Sequence, residues 1–253
     1  MEECNAIWDE FKNVMVVRKI ADNSVGNKVR VGKKNDGGYI MIEDAIKKAK
    51  IAYSIGIGND VSWDMQIAEQ YGCDVFQYDD TINTTPMQHE KFHFMRTGIC
   101  GSKHDFSERM TLEQMLKENH HENETDMILK MDVEGAEWDV IETITEETIS
   151  KFNQIVMEIH ELDDINQIEN KLKYLMKINK THQLVHIHAN NYMLPARKFA
   201  GKAILIRAYE VTYIKKDMYK FYDDDSYFPQ EIDQPCNPAV LDIELGNWGK
   251  KND

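Results

Sequence analysis

Between residues 51 and 214, short apolar runs alternate with amphipathic stretches. IAYSI (51–55), DVFQYD (74–79), FHFMRTGI (92–99), DMILKMD (126–132), QIVMEIH (154–160), QLVHIHA (183–189) and AILIRAYEVTYI (203–214) have the length and apolar density of strands. Helical spacing marks four other stretches. WDMQIAEQYG (63–72) stops on Gly72, and TLEQMLKENHH (111–121) starts on Thr111 as N-cap. AEWDVIETITEETISKF (136–152) and INQIENKLKYLMKIN (165–179) complete the set. Strands that alternate with helices predict an α/β fold, with a mostly parallel seven-stranded sheet and helices on both faces.

The flanks read differently. Residues 1–50 form a lead-in: helical spacing over IWDEFKNVMVV (7–17), a turn-rich RVGKKNDGGY (30–39), then the short amphipathic IMIEDAIKKAK. Residues 215–253 hold three of the five prolines and the acidic run Asp223–Asp225. YFPQEIDQPCNPAVL is too apolar for a solvated tail, so this part is expected to pack irregularly on the domain, as a cover for the active site. The expected division is therefore 1–50, 51–214 and 215–253.

Composition narrows the function. Asp and Glu number 44 against 30 Lys and Arg, a formal charge of −14. That balance disfavours phosphate backbones and anionic lipid, so neither nucleic acid nor a membrane is an expected partner. No apolar run approaches the roughly 18 residues of a membrane span. MEECNAIWDEF has no signal-peptide core, and Cys4, Cys73, Cys100 and Cys236 share no CxxC spacing. Both features predict reduced thiols in the cytoplasm and no cysteine-ligated zinc.

Candidate chemistry collects where strands end. In YSIGIGND (53–60), Gly56 and Gly58 stand at a strand-to-helix turn, where a bare backbone admits a ligand closely. Asp79 follows Gly56 by 23 residues, the distance of an acid that accepts ribose hydroxyls. A dinucleotide fingerprint wants glycine at position 61, which is Val61. Asp132 ends the fourth strand, and Glu158 and His160 share a face of the fifth. In HIHANN (186–191) and Tyr192, polar groups end the sixth strand, either as an acceptor subsite or as an ordinary strand end. Arg30, Lys33, Lys34, Arg197 and Lys198 are basic loop residues that could meet a nucleotide diphosphate, with Arg197 and Lys198 equally readable as solvated surface.

ILKMDVEGAEWDVI and IVMEIHEL (155–162) resemble FkbM-like S-adenosylmethionine-dependent O-methyltransferases. RVGKKNDGGYIM and YSIGIGNDVSWD resemble the preface of a sugar- and capsule-type subgroup. The resemblance runs from about residue 30 to about 190. It implies a Rossmann-like class I methyltransferase fold, with S-adenosylmethionine held by Asp36, Gly37, Gly38, Tyr39, Ser54, Gly56, Gly58, Asp79, Ile99 and Cys100. It implies methylation of a hydroxyl on a sugar or nucleotide-activated sugar of the capsular-polysaccharide kind, with His188, Asn190, Asn191 and Tyr192 facing the acceptor. The chain departs from the pattern at Ser54, where the first strand usually carries an acid. Asp36 or Asp60 is then left for the cofactor's amino group.

Two routes to catalysis stay open. In one, His160 or Asp132 is the base. In the other, Asp132, Glu158 and His160 hold Mg²⁺ or Mn²⁺. An NAD-dependent oxidoreductase and a non-catalytic nucleotide-binding protein are the competing classes, and self-association into a homo-oligomer is compatible with all three.

Overall fold

The computed structural model describes residues 2–21, 26–101, 109–192, 197–200 and 203–249. Its centre is a seven-stranded sheet. In chain order the strands are β1 (Ile51–Ile55), β2 (Asp74–Tyr78), β3 (Phe92–Met95), β4 (Met127–Met131), β5 (Phe152–Ile159), β6 (His182–Ala189) and β7 (Tyr209–Lys215). Their spatial order is β6-β7-β5-β4-β1-β2-β3. The pairs linking β5, β4, β1, β2 and β3 are parallel. β7 lies antiparallel between β5 and β6. The order reverses at β1 and β4, so their carboxyl ends diverge and leave a crevice.

Among the described residues, seven α-helices complete the layers: α1 (Glu2–Val14), α2 (Glu43–Lys48), α3 (Ser62–Tyr71), α4 (Leu112–Glu118), α5 (Glu137–Thr143), α6 (Glu146–Ile149) and α7 (Ile168–Thr181). Alternation along the strands gives each sheet face its own core. Tyr53, Ile55, Leu129, Met131, Ile155 and Met157 face α4 to α7 and Phe11 of α1. Ala52, Val75, Ile128 and Val156 face Trp63 and Ile67 of α3, Ile46 of α2, and Tyr39 and Met41. The last two belong to an antiparallel hairpin, Lys28–Val31 with Tyr39–Ile42, formed around the turn-rich segment. Thr111 caps α4 in a reciprocal box with Gln114, and Gly72 closes α3 in the left-handed conformation.

Three expected elements are broken in two. The helix expected over 136–152 stops at Thr143, because Thr145 turns extended and its hydroxyl accepts the Thr148 amide to start α6. The run 203–214 splits into Ala203–Ile206, paired back on Arg197–Ala200, and β7. The run 92–99 splits because Gly98–Ile99 leaves the sheet to pair with Arg109–Met110. Cys73, Cys100 and Cys236 are buried free thiols.

The C-terminal segment is part of the core. Trp248 is 1% exposed and packs edge-on against Phe11 and Trp8, with the Lys12 ammonium over its ring. Its carbonyl accepts the Val17 amide. His186 Nε2 donates to Asp233 Oδ1 at 2.7 Å while Nδ1 accepts from Lys28. Burial, opposed by Asp233, lowers the His186 pKa to about 4. A histidine kept neutral in the folded state binds fewer protons than it does unfolded between pH 4 and 6.5, so stability falls as pH falls through that window. Thermal melts from pH 7 to 4.5 should show that slope, flattened in His186→Gln. Trp248→Ala should cost about 3–5 kcal/mol in chemical denaturation, the usual range for emptying a buried aromatic site.

Candidate active site

A cavity of about 730 Å³ opens at the carboxyl ends of β1, β2 and β4. That size suits a small ligand. Four loops wall it: Gly56–Asp60 after β1, Tyr78–Thr81 after β2, Lys130–Ala136 at the end of β4, and Lys33, Asp36 and Gly37 from the hairpin. Ile99 and Arg109 also line it.

The two glycines of the first loop do different work. Gly56 has φ +78°, and a Cβ there would collide with the carbonyl oxygen of Asp132. The space a Cβ would take there is filled by the neighbouring loop, while the Gly56 backbone still lines the cavity. Gly58 has φ +51° with nothing within 4 Å of a Cβ, so it is the one that leaves room in the cavity. Asp79 holds the loop in place. Its Oδ2 accepts the amides of Ile57 (3.0 Å) and Gly58 (2.8 Å), and its Oδ1 accepts the amide and hydroxyl of Thr81 (2.7 and 2.6 Å). Burial opposes its charge, but these donors prevail and hold its pKa below the usual carboxylate value.

The turn after β4 is built around Glu137, which is fully buried. Its carboxylate accepts the amides of Val133 (3.0 Å) and Gly135 (2.8 Å) and pairs with His160 Nδ1 at 2.8 Å. Trp138 Nε1 donates to the His160 carbonyl. The turn runs through Glu134 and Gly135 at φ +55° and +105°. His160 Nε2 lies 3.3 Å from Glu158 and 3.7 Å from Glu134. Burial alone would lower the His160 pKa, yet Glu137 and Glu158 raise it to about 11. With Nδ1 on Glu137 and Nε2 beside Glu158 and Glu134, the His160 ring is enclosed by carboxylates.

Asp132 stands on the cavity wall and accepts the Tyr39 hydroxyl at 3.0 Å. Glu158 accepts Asn190 Nδ2 at 2.7 Å. Burial, then the charges of Asp132 and Glu210, raise its pKa to about 7 against the pull of His160. Burial and Asp132 also raise the pKa of Asp36.

Asp36, Gly37, Gly56, Gly58, Asp79, Ile99 and Asp132 come together on this cavity. Gly38, Tyr39, Ser54 and Cys100 do not line it. Tyr39 is buried behind Asp132 and positions it. Gly38 packs against the Lys33 carbonyl. Ser54 faces away, beside Asp64, and the Cys100 amide is spent on Met110. The acceptor set is corrected too. His188 is buried between Glu210 and Asp242, and Asn191 holds the backbone of Asn237 and Leu241. Tyr192 is exposed. Only Asn190, through Glu158, reaches the acid cluster. The side chains of Arg197 and Lys198 lie outside the described ones. Sequence reasoning missed Lys130, whose ammonium donates to the Gly56 carbonyl at 3.0 Å on the cavity wall. It also missed Glu137, although an acid four residues past Val133 in a helix's first turn signals a cap.

A β6-β7-β5-β4-β1-β2-β3 sheet with a glycine-loop cavity at the switch point is the Rossmann-like architecture. The chain belongs to a methyltransferase-domain family, whose profile matches residues 7–215. Two curated relatives, both named "Probable methyltransferase-like protein 24", from Rattus norvegicus and Homo sapiens, are 28% identical over 120 residues, 43% of this chain. The matched stretch spans about a third (32%) of each relative's length. Among solved structures, a SAM-dependent methyltransferase from Agrobacterium tumefaciens is 6% identical, with a TM-score of 0.36 over 79% of this chain and 77% of that one. A variant of the 16S rRNA (adenine(1408)-N(1))-methyltransferase from Catenulisporales acidiphilia is 11% identical, with a TM-score of 0.36 over 74% and 97%.

The two glycines should separate in the laboratory. Gly56→Ala should unfold the carboxyl edge and lower the melting temperature sharply. Gly58→Ala should cost only about 1 kcal/mol of backbone strain. Equal melting temperatures would show that Gly56 is not a packing residue.

Proposed function

We propose that the chain is an S-adenosylmethionine-dependent O-methyltransferase acting on a hydroxyl of a sugar or nucleotide-activated sugar. The carrying observation is that one cavity joins the Gly56–Gly58 loop to the acid cluster at Asp132. The residues fit the cofactor: Gly58 leaves open space in a cavity of suitable volume. Gly58, Asp79 and Ile99 would hold its nucleoside. Asp36 would meet the amino group, since Asp60 is engaged by Lys33 and Ser62, and Lys130 the carboxylate. Bound S-adenosylmethionine supplies an electrophilic methyl group.

The protein's part is to align the acceptor oxygen and take its proton. Asp132 is fixed by Tyr39, whose own pKa is raised by burial and by neighbouring carboxylates, so it stays a donor. Asp36, with its raised pKa, is the better resting place for the proton. Acid-rich walls suit a polyhydroxyl acceptor, which offers several donors to carboxylates. The FkbM-like motifs favour a sugar, and the charge of −14 favours a small acceptor over nucleic acid. Family membership displaces the NAD-dependent alternative. No helix among the described residues is long and apolar enough to cross a membrane.

Isothermal titration should show binding of S-adenosylhomocysteine and none of NAD. Asp79→Ala should raise the Kd for S-adenosylhomocysteine about tenfold or more, because it releases the loop that Gly58 belongs to, and each charge-assisted hydrogen bond lost there is worth about 1.5–3 kcal/mol. Labelled S-adenosylmethionine with a panel of nucleotide-activated hexoses and heptoses should show transfer to a hydroxyl. No binding of S-adenosylhomocysteine, or transfer only to RNA or protein, would overturn the reading.

A further inference from the structure

We propose that Asp132, Glu134 and His160 form a divalent-cation site on the wall of this cavity, best suited to Mn²⁺. One ligand atom from each lies within 4.8 Å of the others. That is within a small closure of a single coordination sphere, in which opposite ligands at about 2.2 Å stand about 4.4 Å apart. Two carboxylates and one imidazole suit Mn²⁺ better than Mg²⁺.

The mixed donor set is supported from outside itself. A metal-binding imidazole donates its other nitrogen to a fixed acceptor, which sets its tautomer. His160 has this arrangement. Nδ1 is held by Glu137, itself locked by the Val133 and Gly135 amides, and Nε2 points to the acids. The side chain is 6% exposed, and its Nε2 is turned to the acids, 3.3 Å from Glu158 and 3.7 Å from Glu134, where a bound cation would take the place of its proton. Asp132 is likewise oriented by Tyr39 from behind. The set also opens on the cavity, because Asp132 and Glu134 both line it. The other mixed group, His188, Glu210 and Cys236, lacks these features. All three of its residues are buried, and none of them lines the cavity.

Three protein ligands leave further positions toward the cavity, enough to chelate two adjacent hydroxyls. The cation would then select a vicinal diol and lower the pKa of the hydroxyl to be methylated. This last step rests on the methyltransferase reading; the cation site does not.

The test is titration of the chelator-stripped full chain with Mn²⁺, followed by the loss of the free-ion EPR signal. One ion per chain should bind. Glu134→Gln, a change at a side chain 79% exposed and so harmless to folding, should raise the Kd at least tenfold, and so should Asp132→Asn. Glu69→Gln, on an exposed position of α3, should bind as the wild type does. No bound ion, or wild-type affinity in both Glu134→Gln and Asp132→Asn, would overturn the site. Mn²⁺ binding without S-adenosylhomocysteine binding would keep the site and overturn the function.

Discussion

The Glu137 carboxylate fastens two strand ends that would otherwise diverge. β4 and β5 run parallel, and each must leave the sheet at the same edge. The chain after β4 exposes unsatisfied amides, and the chain after β5 carries an imidazole into the protein. One buried carboxylate satisfies two of those amides and the imidazole together. A buried charge is costly unless it is fully hydrogen-bonded, and here three donors meet it. The positions of Asp132, Glu134 and His160 follow from that knot. So does the direction of Trp138, which returns a hydrogen bond to the His160 carbonyl.

The same economy operates across the switch point. Asp79 stands at the end of β2 but spends its oxygens on the loop after β1. Gly56 lets that loop lie against the Asp132 carbonyl. The loops after β1, β2 and β4 are therefore one cross-braced unit, and the cavity is what their packing leaves open. A ligand entering it meets preorganised amides and carboxylates rather than mobile side chains, which lowers the ordering cost of binding.

Much of the sheet was legible because burial on both faces leaves a strand continuously apolar, while helices keep an amphipathic period. MILKM and QIVMEI read that way. What failed were interruptions with local causes. The hydroxyl of Thr145 restarts a helix within an apolar period, and Gly98–Ile99 changes sheet partner without a change in composition. The edge of the cavity was legible at Gly58, Asp79 and Asp132, because strand ends are marked in the sequence. Burial direction was not. Ser54 and Tyr39 have the right chain position and the wrong face, and His188 reads as a strand-end ligand only while Asp242, 54 residues later, is unplaced.

That last pairing changes what the C-terminal segment is. It does not lie on the finished domain as a detachable cover. Asn35 donates to the Pro235 carbonyl, and the Asp36 amide donates to the Cys236 carbonyl at 3.3 Å. The loop that puts Asp36 on the cavity wall is thus supported from behind by residues two hundred positions away. Asp242 holds the same segment to β6 through His188, and Trp248 anchors its end against α1. The Asp36 corner of the cavity is thus braced by the C-terminal segment, whereas the glycine loop is braced by Asp79. A change in the C-terminal segment should therefore reach the site through the position of Asp36, without touching the loop that Asp79 holds.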